Sequence, residues 1–109
     1  MNGYSILNEA ARLCGLDFAE EKIKIMGLTL LNTALADMGL SKTASLSHPL
    51  KIKGVKEAEA VKFCLAALVA NSVGEIEAAE NMSQIYLRKK GELMRGIGRV
   101  KDTMPRGEW

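Results

Sequence analysis

The stretch Phe63-Cys-Leu-Ala-Ala-Leu-Val-Ala70 is the longest apolar run in the sequence. A helix that is apolar on all sides lies at the centre of a domain, whereas a surface helix is apolar on one face only. The run is too short to span a bilayer, because a membrane helix needs about 20 residues. It therefore predicts a central helix, from about Lys56 to Ser72, in a soluble domain.

Two helices are predicted before this central one. Apolar residues recur at helical spacing over residues 4–14 and again over residues 18–38. Each segment is followed by a pair of the kind that ends helices, Gly15-Leu16 and Gly39-Leu40. An Asp-Phe-Ala-Glu capping box at residues 17–20 predicts a tight turn between the two helices.

A fourth helix is predicted over residues 75–97. Glutamates fill its first turns and basic residues its last, as the helix dipole favours. The glycines at 91, 96 and 98 predict that its end frays, because glycine is a poor helix former.

Residues 41–55 form the one substantial break between the helices, and Ser, Thr, Pro and Gly dominate them. Leu50 and Ile52 alternate with polar residues, which allows a short extended stretch. A loop of this length in a compact domain is often functional. The predicted fold is all-α: a compact bundle of about four helices, with one long loop and an extended C-terminal tail. We divide the chain into a helical domain at 1–98 and a tail at 99–109.

Charge is unevenly distributed along the chain. Residues 1–87 carry eight Lys and Arg against ten Asp and Glu, whereas residues 88–109 carry seven against three. The overall net charge of +2 creates no field that would dictate a polyanionic partner. The basic residues of the last helix are candidates for contact with nucleic-acid phosphates, and a solvated helix end matched to the dipole is the alternative. These residues are Arg88, Lys89, Lys90, Arg95 and Arg99.

Residues suited to catalysis or metal binding are scarce. The single histidine, His48, lies in the loop beside Pro49, without the nucleophile and carboxylate pattern of a catalytic site. Cys14 and Cys64 fall within apolar helical patterns, which favours buried free thiols over a redox pair. One histidine and two dispersed cysteines do not make a usual zinc site. We expect no enzymatic activity, no cofactor and no metal.

The tail contains the single tryptophan of the sequence, Trp109, which follows Pro105 in a polar segment. A small domain normally buries its tryptophan, because the indole has a large apolar area. Since four helices already supply a core, we interpret the tail as an anchor for a partner. Met104 and Trp109 would make apolar contacts, and Pro105 would keep the segment extended. Lys101 and Arg106 would face acidic or phosphate groups.

The order of these elements follows a recognisable pattern. A short helix ends in Ala10-Ala-Arg-Leu-Cys-Gly-Leu16, the second carries Leu31-Asn32, and the third is rich in alanine. The fourth carries Tyr86-Leu-Arg-Lys-Lys90, and the tail contains the basic, proline-containing Asp102-Thr-Met-Pro-Arg-Gly107. Over essentially the whole chain the pattern resembles the head–tail connector, or portal adaptor, proteins of tailed bacteriophages and prophages.

The resemblance implies a structural virion protein, made in the bacterial host cytoplasm and placed at the head–tail junction. It implies a ring, commonly of twelve copies, that binds the portal protein and sibling subunits and extends the DNA channel. The ring would offer a platform for the tail or the next connector protein, with non-specific DNA contact and no membrane contact. Around Pro105 and Trp109 the chain would dock on the portal or a neighbouring subunit, and loop 41–55 would face a subunit or the tail. Some family members have a longer hairpin or tail.

Two other functions remain open from the residues alone. One is a small helical nucleic-acid-binding or regulatory protein that uses the basic end of the fourth helix. The other, with much less support, is an enzyme that uses His48. The N-terminal residues have no basic segment followed by an unbroken apolar run, so no signal peptide is expected.

Overall fold

Four helices make up the part of the chain that the computed structural model describes, namely the backbone of residues 2–16 and 21–102 and the side chains of residues 2–16 and 25–93. The helices are α1 (Gly3–Leu13), α2 (Glu21–Asp37), α3 (Val55–Ser72) and α4 (Ile76–Asp102). Among these residues there is no strand, only a single bridge between Asn2 and Pro49. The predicted all-α bundle is confirmed, and no strand includes Leu50 or Ile52.

α3 is the central helix, as its apolar run predicts. α1, α2 and α4 each pack against it. Val61, Leu65 and Val69 are fully buried, and each such side chain contributes about 1.5–3 kcal/mol relative to an exposed one. Three residues of the run, Phe63, Ala67 and Leu68, are only half-buried. The helices around α3 therefore leave part of its surface uncovered.

Glycine ends the first two helices in the way the sequence predicts. Gly15 and Gly39 have φ angles of 71° and 73°, in the left-handed region where a side chain is strained. The following residues close the turn: Leu16 N–H donates to the Ala11 carbonyl at 2.9 Å, and Leu40 N–H donates to the carbonyl five residues before it at 2.8 Å. This is the hydrogen-bond pattern of the Schellman motif, and both leucines pack on the core.

The fourth helix is longer than the sequence analysis predicts. It continues past Ile97 to Asp102, and the glycines at 96 and 98 do not interrupt it. Arg99 and Lys101, which we assigned to an extended tail, are therefore helical, and that prediction is wrong. A glycine in a helix costs only about 1 kcal/mol, whereas Pro105 also restricts the residue before it and is the stronger stop. The capping box at 17–20 and the tail residues 103–109 lie outside the described residues.

The loop between α2 and α3 (residues 38–54) is fixed to α2 by two hydrogen bonds of one side chain, here called the Asn32 bracket. The side chain of Asn32 donates to the Thr43 carbonyl at 2.9 Å and accepts from the Thr43 N–H at 2.8 Å. Both bonds are to the backbone of the loop. Three residues further on, the Leu46 carbonyl accepts from the Tyr4 N–H at 3.1 Å, which ties the loop to the start of α1.

Leu46 inserts where two glycines allow close packing. A Cβ on Gly3 would lie 2.8 Å from Leu31 Cδ2 and 2.9 Å from the Cα of Leu46. A Cβ on Gly27 would lie 2.5 Å from Leu7 Cδ2. These separations are far below a van der Waals contact, so α1, α2 and the loop can approach each other only because both residues lack a side chain.

We expect Gly3→Ala to lower the free energy of unfolding by about 1–3 kcal/mol, because its methyl group would overlap backbone that cannot rotate away. Gly91→Ala is the matched control. No atom lies within 4 Å of a Cβ at Gly91, so this change should raise the stability by up to about 1 kcal/mol through better helix propensity. Urea unfolding measures both, and equal effects of the two variants would contradict the packing described for Gly3.

Candidate interaction surface

α4 extends beyond the helix that supports it. Val55 and Leu93 line one groove, so the start of α3 lies level with Leu93 of α4. Residues 94–102 continue the helix past this level by about 13 Å, at about 1.5 Å per residue. The predicted DNA-contact residues Arg95 and Arg99 belong to this projecting segment.

The groove between the start of α3 and α4, here called the α3–α4 groove, has a volume of about 250 Å³. Val55 is 78 % exposed although it is the first residue of the central helix. Side chains of positive and of negative charge surround this apolar surface. The lining residues are Val55, Lys56, Glu59, Lys89, Glu92 and Leu93.

The three consecutive basic residues of α4 do not form one basic surface. Arg88 is exposed. Lys89 places its ammonium group 5.3 Å from the centre of the Phe63 ring, within cation–π range. Lys90 Nζ lies 3.0 Å from the Asp37 carbonyl and 3.4 Å from its carboxylate. Two of these three residues, all predicted to contact phosphates, are thus engaged within the protein.

Helical register relates Arg88 to the later basic positions. At 100° per residue, positions 88, 95 and 99 share one face of α4, and Glu92 lies on that face between them. The face therefore carries mixed charge. Such a pattern suits phosphate contact by single arginines better than a continuous polyanion track.

A polar cluster joins the end of α2 to α4. Tyr86 is only 6 % exposed, and its hydroxyl donates to Asp37 Oδ2. The hydrogen bond from Tyr86, aided by Lys90, holds the pKa of the Asp37 carboxyl below its ordinary value. Burial, and then the hydrogen bond to Asp37, raise the pKa of Tyr86. This cluster is not among the sites predicted from the sequence. The available signal was a tyrosine inside an apolar stripe, which needs a partner for its hydroxyl.

The chemistry of this cluster is structural. Burial, reinforced by the Asp37 carboxylate, raises the pKa of the Cys64 thiol to about 11. Cys64 and Tyr86 both stay protonated at neutral pH, so neither is an activated nucleophile or base. The cluster closes one end of a cleft between α2 and α4, with a volume of about 210 Å³. Besides the cluster itself, the cleft is lined by Thr33, Ala67, Leu68 and Ser83.

The residues of the long loop form local turn contacts. Ser45 and Ser47 hydroxyls lie 3.0 Å apart, and the His48 N–H donates to the Ser45 carbonyl at 3.3 Å. His48 itself is exposed. Both cysteines are free; Cys64 is buried as predicted, whereas Cys14 is only half-buried. Within residues 2–16 and 25–93, no three His, Cys, Asp or Glu side chains are grouped closely enough to hold a metal ion.

The two ends of the bundle carry opposite charge. Glu75 lies close enough to the end of α1 to add to the raised pKa of Cys14, whose first cause is burial. With Glu77 and Glu80 exposed on the same turns of α4, this end is acidic. At the opposite end, the exposed Lys53 and Lys56 lie at the start of α3. We call these the acidic end and the basic end.

Comparisons with known proteins identify no relative: no family model, curated protein or solved structure matches this chain. Across the described helices, none has the length and apolar character needed to cross a membrane.

We expect Tyr86→Phe to lower the free energy of unfolding by about 1 kcal/mol at pH 7, because it removes a hydrogen bond to a half-exposed carboxylate. The pKa of Asp37 is lowered in the folded state, so its stabilisation is present above the ordinary value of about 3.9 and is lost as the pH falls through the folded value. The difference between the two proteins should therefore shrink in acid. Urea unfolding at a series of pH values measures it, and a difference independent of pH would contradict the assignment.

Proposed function

We propose that this protein is a structural head–tail connector of a bacteriophage or prophage, which forms a ring on the portal protein and has no enzymatic role. One observation carries the proposal: α4 runs about 13 Å past the start of α3 and leads directly into residues 103–109. We call residues 103–109 the docking segment. An assembly protein needs such an element outside its packed core, because a partner can bind it without unfolding the bundle.

The opposed charges of the bundle ends support a ring. A ring requires a heterologous contact, in which two different surfaces of neighbouring copies meet. The acidic end, with Glu75 and Glu77, and the basic end, with Lys53 and Lys56, are complementary surfaces of this kind. Complementary charge guides the register of such contacts more than it adds affinity. The number of copies, commonly twelve, comes from the family resemblance.

The proposed ring surrounds DNA at the head–tail junction of the virion, after synthesis in the host cytoplasm. Arg88 is the exposed basic residue of the described part of α4, and positions 95 and 99 share its register. Arginines in this arrangement contact phosphates without reading sequence. The other face of the ring would receive the tail or the next connector protein, with loop 41–55 contributing to this or to the contact between subunits.

The alternative of a nucleic-acid-binding or regulatory protein has less support. Lys89 lies over Phe63 and Lys90 is paired with Asp37, so both are unavailable for full engagement with phosphates. Glu92 further reduces the positive charge of the remaining face. A free nucleic-acid-binding protein makes several simultaneous phosphate contacts, because affinity depends on the number of charges neutralised.

Mixing the purified protein with the portal protein encoded beside it in the genome should give a ring-shaped complex in electron micrographs. Trp109→Ala should reduce the yield of this complex at least tenfold, because the docking segment would lose its largest apolar contact, worth about 1.4 kcal/mol or more. His48→Ala, which changes an exposed loop residue, is the matched control and should assemble normally. A complex that forms equally with all three proteins would refute the role of the segment. Absence of portal, capsid and tail genes from the neighbourhood would refute the connector function.

The isolated protein should show negligible binding to duplex DNA at physiological salt, about 0.15 M. Fluorescence anisotropy with a labelled duplex of random sequence measures this directly. Sub-micromolar binding that weakens steeply with added salt would instead favour the nucleic-acid-binding alternative.

A further inference from the structure

We propose that, before assembly, the docking segment folds back so that Trp109 occupies the α3–α4 groove of its own chain. The groove exposes apolar surface at the end of the bundle towards which α4 runs. Val55 exposes 78 % of its surface there, opposite the half-buried Leu93. The volume of about 250 Å³ is sufficient for a large aromatic side chain.

The reach of the segment matches this groove. Leu93, in the groove wall, lies about 13 Å along the helix from Asp102, where α4 ends. Residues 103–109 can extend about 23 Å, at about 3.3 Å per residue. Because α4 ends at Asp102 and Pro105 cannot be part of a continuing helix, all seven residues are available to turn back along α4 from its end. Trp109 can therefore arrive at Val55 with length to spare for a turn.

The same measure excludes the cleft between α2 and α4. The cleft between α2 and α4 is lined by Ser83, which lies about 28 Å along α4 from Asp102. Residues 103–109 cannot cover that distance within one chain. The length of the segment thus excludes this cleft before any specific contact is considered.

The charges at the rim of the groove complement those of the segment. Lys56 and Glu92 are the exposed charges of the rim, whereas Glu59 is paired with Lys62 at 3.0 Å and Lys89 lies over Phe63. The docking segment carries Arg106 and Glu108, one of each sign. Pairing Arg106 with Glu92 and Glu108 with Lys56 adds little energy at an exposed rim, but it sets the direction of the segment.

This arrangement would be an intramolecular latch. An attached segment binds its own groove at a high effective concentration, so a few apolar contacts suffice to hold it. The latch can form whether or not the protein is a connector, and only its release rests on the proposed function. A portal protein that binds the docking segment more tightly than the groove does would displace the segment. Until then, unassembled copies would not offer the segment to each other.

Trp109 is the only tryptophan in the chain, so its fluorescence reports the latch directly. The wild-type protein, diluted stepwise, should emit at a shorter wavelength than in concentrated urea and be shielded from a soluble quencher, independently of protein concentration. Val55→Ser should shift the emission to the unfolded position without changing the circular dichroism, because Val55 is largely exposed. Ile76→Ser, which alters a residue 56 % exposed at the acidic end, is the matched control and should behave like the wild type.

A second measurement is tryptic cleavage after Arg106, which should be several-fold faster in Val55→Ser than in the wild type. The proposal is overturned if the wild-type emission equals that of the unfolded protein, or if Ile76→Ser releases Trp109 as Val55→Ser does. A blue shift that disappears on dilution would also overturn it, because the groove would then be filled by a second copy. None of these results depends on a portal protein, so failure of the latch and failure of the connector function are distinguishable.

Discussion

The burial of α3 is the constraint on which the rest of the structure depends. A helix that is apolar almost all round must be covered on several sides, and α1, α2 and α4 each take one of them. The turns that bring these helices back to α3 are closed by glycines with positive φ. Coverage is incomplete at several places, among them the cleft lined by Ala67 and Leu68 and the groove at Val55. These uncovered edges are where the molecule can meet other groups.

Local signals made most of the fold predictable. The four helices, the glycine stops at 15 and 39 and the central position of α3 follow from periodicity and from residues adjacent in sequence. Interactions between residues that are distant in sequence could not be predicted in this way. The Asn32–Thr43 bracket and the Tyr86–Asp37 bond depend on the relative position of helices, which a one-dimensional pattern does not contain. The end of α4 at Asp102 was missed because glycine was given more weight than the proline beyond it.

The candidate surface shows how a cluster of like charges in sequence can be divided by structure. Successive residues of a helix point about 100° apart, so Arg88, Lys89 and Lys90 enter three different environments. Arg88 faces solvent, Lys89 covers the Phe63 ring and Lys90 pairs with the Asp37 carboxylate. A count of basic residues therefore overstates the field that a partner would meet. The opposite charges of the two bundle ends are less conspicuous in the sequence, although the two charged groups lie at opposite ends of the domain.

The Asn32 bracket has a consequence for how such a protein can diverge. Both of its hydrogen bonds are made to the main chain at Thr43, which every residue except proline can supply in the same way. The path of the loop thus depends in part on one side-chain amide of α2, while the exposed side chains along the loop are free to change. Substitutions at these exposed positions could adapt this face to new partners without changing the packing of the hydrophobic core.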